Sequence, residues 1–192
     1  MMSKILFASD VHGSPAALKL LEKQLELLAP EQIIFLGDFL YHGPRNAMRE
    51  DYAPQEAAAI LNGWKGKISA VRGNCDSEVD QLLLDFPIQA EYALLLMDGH
   101  TCFLTHGHHW NAENPPPLGT ADILCHGHTH IPCAEQVSET LCCWNPGSLS
   151  LPKGGFPPSF GWYENGTFTV RNLYTGEAFL SHTLPQPQEA AR

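Results

Sequence analysis

The sequence predicts an α/β fold in which two adjoining sheets carry covering helices, and three observations lead there. The first half repeats one unit three times: a short apolar strand, a polar loop, then helix-favouring sequence. The second half changes character and reads as short strands separated by tight turns. The length of 192 residues, with 44% hydrophobic and 17% charged, suits one domain with a sizeable core.

Residues 4–9 (Lys-Ile-Leu-Phe-Ala-Ser) form an apolar run without helical period, so they predict a buried strand ending at Asp10. Ser14 then offers an N-cap and Pro15 a first helical residue. Ala17, Leu21, Leu25 and Leu28 follow at helical spacing, giving an amphipathic helix over 15–28. A second buried strand is predicted at 32–36, closing on Gly37-Asp38, and the irregular stretch 39–53 follows it. A helix over 54–62 stops at Gly63, and a third strand over 68–71 runs into Arg72-Gly-Asn-Cys-Asp76. Such a repeat belongs to a largely parallel sheet, whose ligands sit beyond the C-terminal strand ends. Asp98-Gly99-His100 signals a hairpin between 92–97 and 101–105. Further strands are predicted at 123–125, 133–137, 141–144, 161–164 and 167–170, the last two joined by Asn165-Gly166. Residues 1–184 thus read as one domain, with 115–117 and 154–158 as internal loops and 185–192 as a frayed tail.

Charge and composition narrow the function classes. A net charge of −10, from 21 acidic against 11 basic residues, argues against an extended nucleic-acid surface. A compact anionic substrate remains compatible where bound cations reverse the local field. No apolar run approaches the ~20 residues of a membrane span. The N-terminus offers four apolar residues before a carboxylate, against the ~7–15 of a signal peptide, so a cytoplasmic location is expected. The six cysteines form no Cys-x-x-Cys pair. Apart from Cys75 they read as small buried hydrophobes.

The anomaly is histidine. Ten are present, and most crowd into 106–109 and 126–130. Five short elements place metal-competent side chains at strand-to-loop junctions: Asp10-Val-His12, Gly37-Asp38, Gly73-Asn74-Cys75-Asp76, His106-Gly-His108 and Gly127-His128-Thr-His130. Carboxylate, imidazole and amide oxygen without thiolate suit borderline divalent ions such as Mn²⁺, Fe²⁺ or Zn²⁺ and argue against a structural zinc site. Each element alone has an ordinary reading as a turn, a cap or surface polarity. The order of all five within one short chain carries the specificity.

That ordered set resembles the calcineurin-like metallophosphoesterase signature over residues 4 to about 150. The stretches Gly37-Asp-Phe-Leu-Tyr-His-Gly-Pro-Arg-Asn46, Val71-Arg-Gly-Asn-Cys-Asp-Ser77 and Asn145-Pro-Gly-Ser148 are similar to the small bacterial YfcE-type phosphodiesterases. The resemblance implies a four-layer α/β-β/α sandwich with two central mixed sheets. It implies two divalent ions, Mn²⁺ foremost with Ni²⁺, Co²⁺, Fe²⁺ and Zn²⁺ as alternatives. Asp10, His12 and His130 would hold one, and Asn74, His106 and His128 the other. Asp38 would bridge them, as a carboxylate can and an imidazole cannot. A hydroxide bridging the two ions would then attack a small phosphodiester in line.

One departure bears on the chemistry. The residue after the motif asparagine is usually histidine in the wider superfamily, and here it is Cys75. A thiol is a poorer proton donor near neutral pH and adds no positive charge, which favours diesters over alkyl monoesters; equally, Cys75 fills space beside the metals. Arg45 and His42 in the loop after Asp38 are the substrate-binding candidates, arginine for bidentate phosphate contact. Asp76 either orients a ligand or caps a turn, and His108 reads as support for a neighbouring ligand. His100, His109, His126 and His182 read as structural or surface residues, and 145–148 as a supporting turn. The alternatives are a phosphomonoesterase on the same ions and a non-catalytic scaffold, the role a retromer subunit of this fold serves. Trp110, Trp144, Phe156 and Phe160 are the candidates for a homo-oligomer interface, with burial as the ordinary alternative.

Overall fold

The computed structural model describes residues 3–117, 119 and 121–185. Strand β1 (Ile5–Ala8) lies between two kinds of neighbour in a six-stranded sheet of order β11-β10-β9-β1-β2-β3. On one side β2 (Gln32–Phe35) and β3 (Ile68–Ala70) run parallel to it. On the other, β9 (Ser159–Glu164), β10 (Thr167–Asn172) and β11 (Ala178–Thr183) form an antiparallel meander. The second sheet has the order β4-β5-β6-β8-β7. There β5 (His100–Thr105), β6 (Ile123–Cys125) and β8 (Cys142–Asn145) are parallel, flanked by antiparallel edges β4 (Tyr92–Met97) and β7 (Cys133–Gln136).

Alternation along β1 explains the layering. Leu6 and Ala8 face helix α1 (Pro15–Leu28) through Ala17, Leu18 and Leu21, and helix α2 (Pro54–Gly63) through Ala57 and Leu61. Ile5 and Phe7 point the other way, into the apolar layer between the sheets with Cys102, Cys125, Trp144 and Phe168. Both faces being covered, β1 reads as a continuous apolar run, as does β2 after Gln32. Helix α1 starts where expected, with the Ser14 hydroxyl accepting from the Ala17 N–H at 3.1 Å. The outer face of the second sheet carries no helix among the described residues; the loop after His106 covers it, with Trp110 against Phe103, Leu124 and Leu141.

Most predicted elements appear within one or two residues of their expected ends, and three were not anticipated. Helix α3 (Glu78–Leu83) buries no side chain, and its apolar residues Val79, Leu82 and Leu83 are exposed. Its start is nevertheless encoded in the Ser77–Asp80 capping box. The short 3₁₀ turn at Lys65–Lys67 is equally unpatterned. Strand β11 is a sheet edge whose residues are partly or fully exposed, which blurs its alternation. The expected frayed tail falls mostly outside the described residues; within them, the Pro185 carbonyl lies 3.1 Å from the His100 ring. Trp144 and Phe160 are fully buried, so burial accounts for both.

Trp144 stacks on Phe168 at 4.5 Å between centroids and 3° between planes, with Phe7 edge-on. Trp144→Ala should therefore remove about 3–5 kcal/mol of unfolding free energy, read from urea unfolding followed by circular dichroism. A loss below about 1 kcal/mol would mean that the space between the sheets collapses freely.

Candidate metal centre

The parallel strands β1 and β2 of the first sheet, and β5 and β6 of the second, direct their following loops to one end of the molecule. Asp10 and His12 follow β1, Asp38 follows β2, and Asn74 and Cys75 follow β3. His106 follows β5, and His128 and His130 follow β6. Five of these residues sit in left-handed backbone: Asp10 (φ 56°), His12 (48°), Asp38 (58°), His128 (65°) and His130 (60°). Aspartate and histidine tolerate this region better than most side chains, yet it still carries strain, and such strain gathers at functional sites. The turns also demand close approach. A Cβ on Gly73 would lie 2.1 Å from Asp38 Oδ1, and one on Gly127 would lie 2.8 Å from Asp10 Oδ2.

Three imidazoles have their orientation fixed from behind. His12 Nδ1 lies 2.8 Å from the Tyr41 carbonyl, His106 Nδ1 2.6 Å from that of Leu36, and His130 Nδ1 2.6 Å from that of Leu151. A carbonyl only accepts, so each Nδ1 carries a proton and each ring, when neutral, presents a lone pair at Nε2. Those lone pairs converge on other electron-rich atoms. The Nε2 atoms of His12 and His130 are 3.4 Å apart, and His130 Nε2 is 3.2 Å from Asp10 Oδ1. His106 Nε2 is 3.1 Å from Asn74 Oδ1 and 3.4 Å from Asp38 Oδ2. Asp10 Oδ1 is buried and has no hydrogen-bond donor among the described residues.

A cluster of lone pairs and carboxylates fits divalent cations. Protons compete with such cations for the same atoms, and the acid–base balance of the cluster reflects its charge. Burial alone would raise the Asp10 carboxyl, but the contacts with His12 and His130 hold it well below the usual carboxylate range. Burial would likewise lower His106, and the contact with Asp38 plus the charges of Asp10 and Asp38 push it up to about 9 instead. Metal binding would release such protons. The less buried His128 is lowered, first by desolvation and then by its neighbour His106, 5.1 Å away ring to ring.

Asp38 Oδ2 lies between the two groups of ligands, 3.7 Å from His12 Nε2 and 3.4 Å from His106 Nε2, while Oδ1 accepts from the Cys75 N–H at 2.8 Å. Its backbone is held by Asp76, a residue whose role the sequence left open. Asp76 Oδ2 accepts from the Asp38 and Gly73 N–H groups at 2.8 and 2.7 Å, and Oδ1 from Phe39 at 2.8 Å. Burial, followed by the Asp38 charge, raises the Asp76 carboxyl to about 6. The Asp10 carbonyl accepts from the hydroxyls of Ser148 and Ser150 at 2.9 and 3.2 Å. Asn145 Nδ2 donates to the Gly127 carbonyl at 3.0 Å, so the 145–150 segment buttresses the loops that carry Asp10 and His128.

A cavity of about 890 Å³ opens above these residues, and Arg45, Asn46, Cys75 and Lys153 are among its walls. Arg45 stands on that wall as its loop position suggested; His42 does not, its ring lying against Tyr41 and Tyr52. The Cys75 thiol is pushed up to about 12, mainly by burial and then by the Asp38 charge, so it is a neutral group at physiological pH. Sequence reasoning missed Lys153, which carries no motif of its own, and gave Asn46 no role although it ends the stretch that begins at Gly37. It also missed the three carbonyls behind the imidazoles, which as main-chain groups leave no mark in sequence.

Asp76→Ala sets two effects against each other. It removes a carboxylate repelled by Asp38, but it strands three buried N–H groups at about 1–3 kcal/mol each. The stranded donors should win, lowering the urea-unfolding free energy by at least about 2 kcal/mol. A stability equal to the parent would show that water replaces the carboxylate without loss.

The chain and its fold have known counterparts. The profile of the calcineurin-like phosphoesterase superfamily domain matches residues 2–167. Phosphodiesterase YfcE of Escherichia coli (strain K12) is 51% identical over 172 residues, covering 88% of this chain and 91% of that one. The probable metallophosphoesterase YsnB of Bacillus subtilis (strain 168) is 28% identical over 180 residues, 87% of this chain and 88% of its own. The solved structure of the E. coli phosphoesterase YfcE superposes with a TM-score of 0.91 at 44% identity, covering 95% of this chain and 100% of that chain. With a profile spanning most of its length and half its residues shared with a relative covered almost end to end, this chain belongs to the calcineurin-like phosphoesterase superfamily.

Proposed function

We propose that the chain is a phosphodiesterase that hydrolyses a small phosphodiester with the help of two divalent cations. The observation that carries this reading is the convergence of three carbonyl-locked imidazoles on Asp10, Asp38 and Asn74. The 51% identical relative named phosphodiesterase YfcE supports the diester class. Asp10, His12 and His130 would hold one ion, Asn74, His106 and His128 the other, with Asp38 shared. The position of Asp38 Oδ2 between His12 and His106 supports that sharing. When bound, the ions would supply a strongly acidified water and charge neutralisation for the phosphate. Mn²⁺ is the ion we favour, because the set mixes imidazole with hard carboxylate and amide oxygens.

The protein's own groups do the rest. Arg45 and Lys153 bring positive charge to the cavity wall, where a diester anion would be drawn in and oriented. Cys75, uncharged and weakly acidic, gives little help to a poor leaving group, which favours diesters with stabilised leaving groups. No protein nucleophile is needed. Residues 1–184 would act as one domain, since β11 returns to the sheet that contains β1. A cytoplasmic location fits six free cysteines, four of them buried. Self-association, if it accompanies function, would draw on exposed apolar groups such as Leu94 and Leu96 of β4 rather than on the buried Trp144.

Metal-stripped protein supplied with Mn²⁺ should turn over bis(p-nitrophenyl) phosphate well and p-nitrophenyl phosphate poorly, and Asp38→Ala should reduce both to background. No turnover with any of Mn²⁺, Ni²⁺, Co²⁺ or Zn²⁺ would place the scaffold reading first. Cys75→His should raise the monoester-to-diester rate ratio, towards the ~10²-fold at the low end for a positioned general acid. An unchanged ratio would mean that Cys75 only fills space.

A further inference from the structure

We infer that Glu91, His108 and His109 form a third divalent-cation site, outside the catalytic cavity and fixed in place by an aromatic cluster. One ligand atom from each of these residues lies within 4.8 Å of the others. Around a tetrahedral ion with bonds of about 2.1 Å such atoms stand roughly 3.4 Å apart, so small rotations of the side chains close the site. The Nδ1 atom of His108 is buried without a hydrogen-bond partner among the described residues. Its ring lies 4.0 Å from that of His109, so the two imidazoles already share one side of the loop. None of the three residues lines the 890 Å³ cavity.

The juxtaposition is enforced by packing. Glu91 directly precedes Tyr92, and His109 directly precedes Trp110. The rings of Tyr92 and Trp110 meet edge-on at 5.9 Å, and both pack on Phe103, at 5.0 and 5.7 Å. This clamp holds the two ligand-bearing segments together. The loop is closed again by Asn111, whose amide donates to the Gly107 carbonyl at 3.1 Å, and by Asn114, which donates to the His109 carbonyl at 2.8 Å. Among the described residues Glu91 has one ionic partner, the exposed Arg72 at 4.0 Å, a weak pairing that a cation can displace.

Two imidazoles and one carboxylate prefer Zn²⁺, Ni²⁺ or Cu²⁺ over Mg²⁺ or Ca²⁺. The ion would tie the entry of β4 to the loop that begins at His106, and so steady one arm of the catalytic cluster. The test uses the full-length chain, stripped, loaded with excess Zn²⁺, freed of unbound metal, and assayed for zinc by mass spectrometry. Wild type should retain three equivalents and the Glu91→Gln/His109→Ala double variant two, with unchanged circular dichroism. Asp38→Ala should lose zinc from the catalytic cluster yet keep the equivalent that the double variant lacks. Equal zinc content in wild type and double variant overturns the third site. Full zinc content in Asp38→Ala would instead count against the binuclear reading and leave the third site standing.

Discussion

The structure depends on a concentration of electron-rich atoms that it has itself made hard to relieve. Hydrogen bonds from Nδ1 to main-chain carbonyls commit His12, His106 and His130 to a single tautomer. Their Nε2 lone pairs are thereby aimed at carboxylate and amide oxygens in a region where Asp10 and His106 are fully buried. Burial makes any unpaired charge there costly. The fold answers with attached protons or with bound cations, and the geometry favours cations because the rings cannot turn to share their own hydrogens.

Holding that cluster requires backbone that the chain would not otherwise choose. A left-handed residue other than glycine costs roughly 1–2 kcal/mol, so five of them represent a sum comparable with the net stability of a whole domain. Opposing interactions therefore stand immediately behind Asp10, His12 and Asp38. The N–H groups of Val11 and His12 both reach the Asp38 carbonyl, at 2.9 and 3.0 Å, and that of Gly13 reaches Phe39 at 2.9 Å. Asp76 gathers three N–H groups around Asp38, and two serine hydroxyls take the Asp10 carbonyl. The strain at the strand ends is thus carried by a ring of hydrogen bonds rather than by apolar packing.

Much of this was legible in the sequence because strand-to-loop junctions are written in local patterns. Four-residue apolar runs stopping at Asp10 and at Gly37-Asp38 marked both the strands and the side chains at their ends. Helix α1 declared its start through Ser14 and Pro15. What stayed hidden has a physical reason in each case. Helix α3 is six residues long, too short for Val79, Leu82 and Leu83 to declare a period, and β11 is an edge strand without a clean inner face. The donors and acceptors that aim the histidines belong to the main chain of residues 36, 41 and 151, where side-chain identity carries no information. The left-handed turns at Asp10 and Asp38 are a tertiary outcome, since nothing local forces either residue out of ordinary backbone.

The second sheet ties its own covering to the metal cluster. With no helix on its outer face among the described residues, the loop after β5 must shield Phe103 and Leu124, and it does so by inserting Trp110. That same loop begins at His106, whose ring enters the cluster, and passes through His108 and His109 on the way to the tryptophan. The apolar contact that protects the sheet therefore also fixes the distance between β4 and the imidazoles of His106, His108 and His109. A mobile loop could not hold His106 against Asp38 at 3.4 Å, and a helix in its place would carry the backbone away from the strand end. Packing of one aromatic side chain, together with the His106 contact to the Leu36 carbonyl and the Asn111 and Asn114 bonds that close the loop, is what lets this stretch both cover a sheet and present ligands.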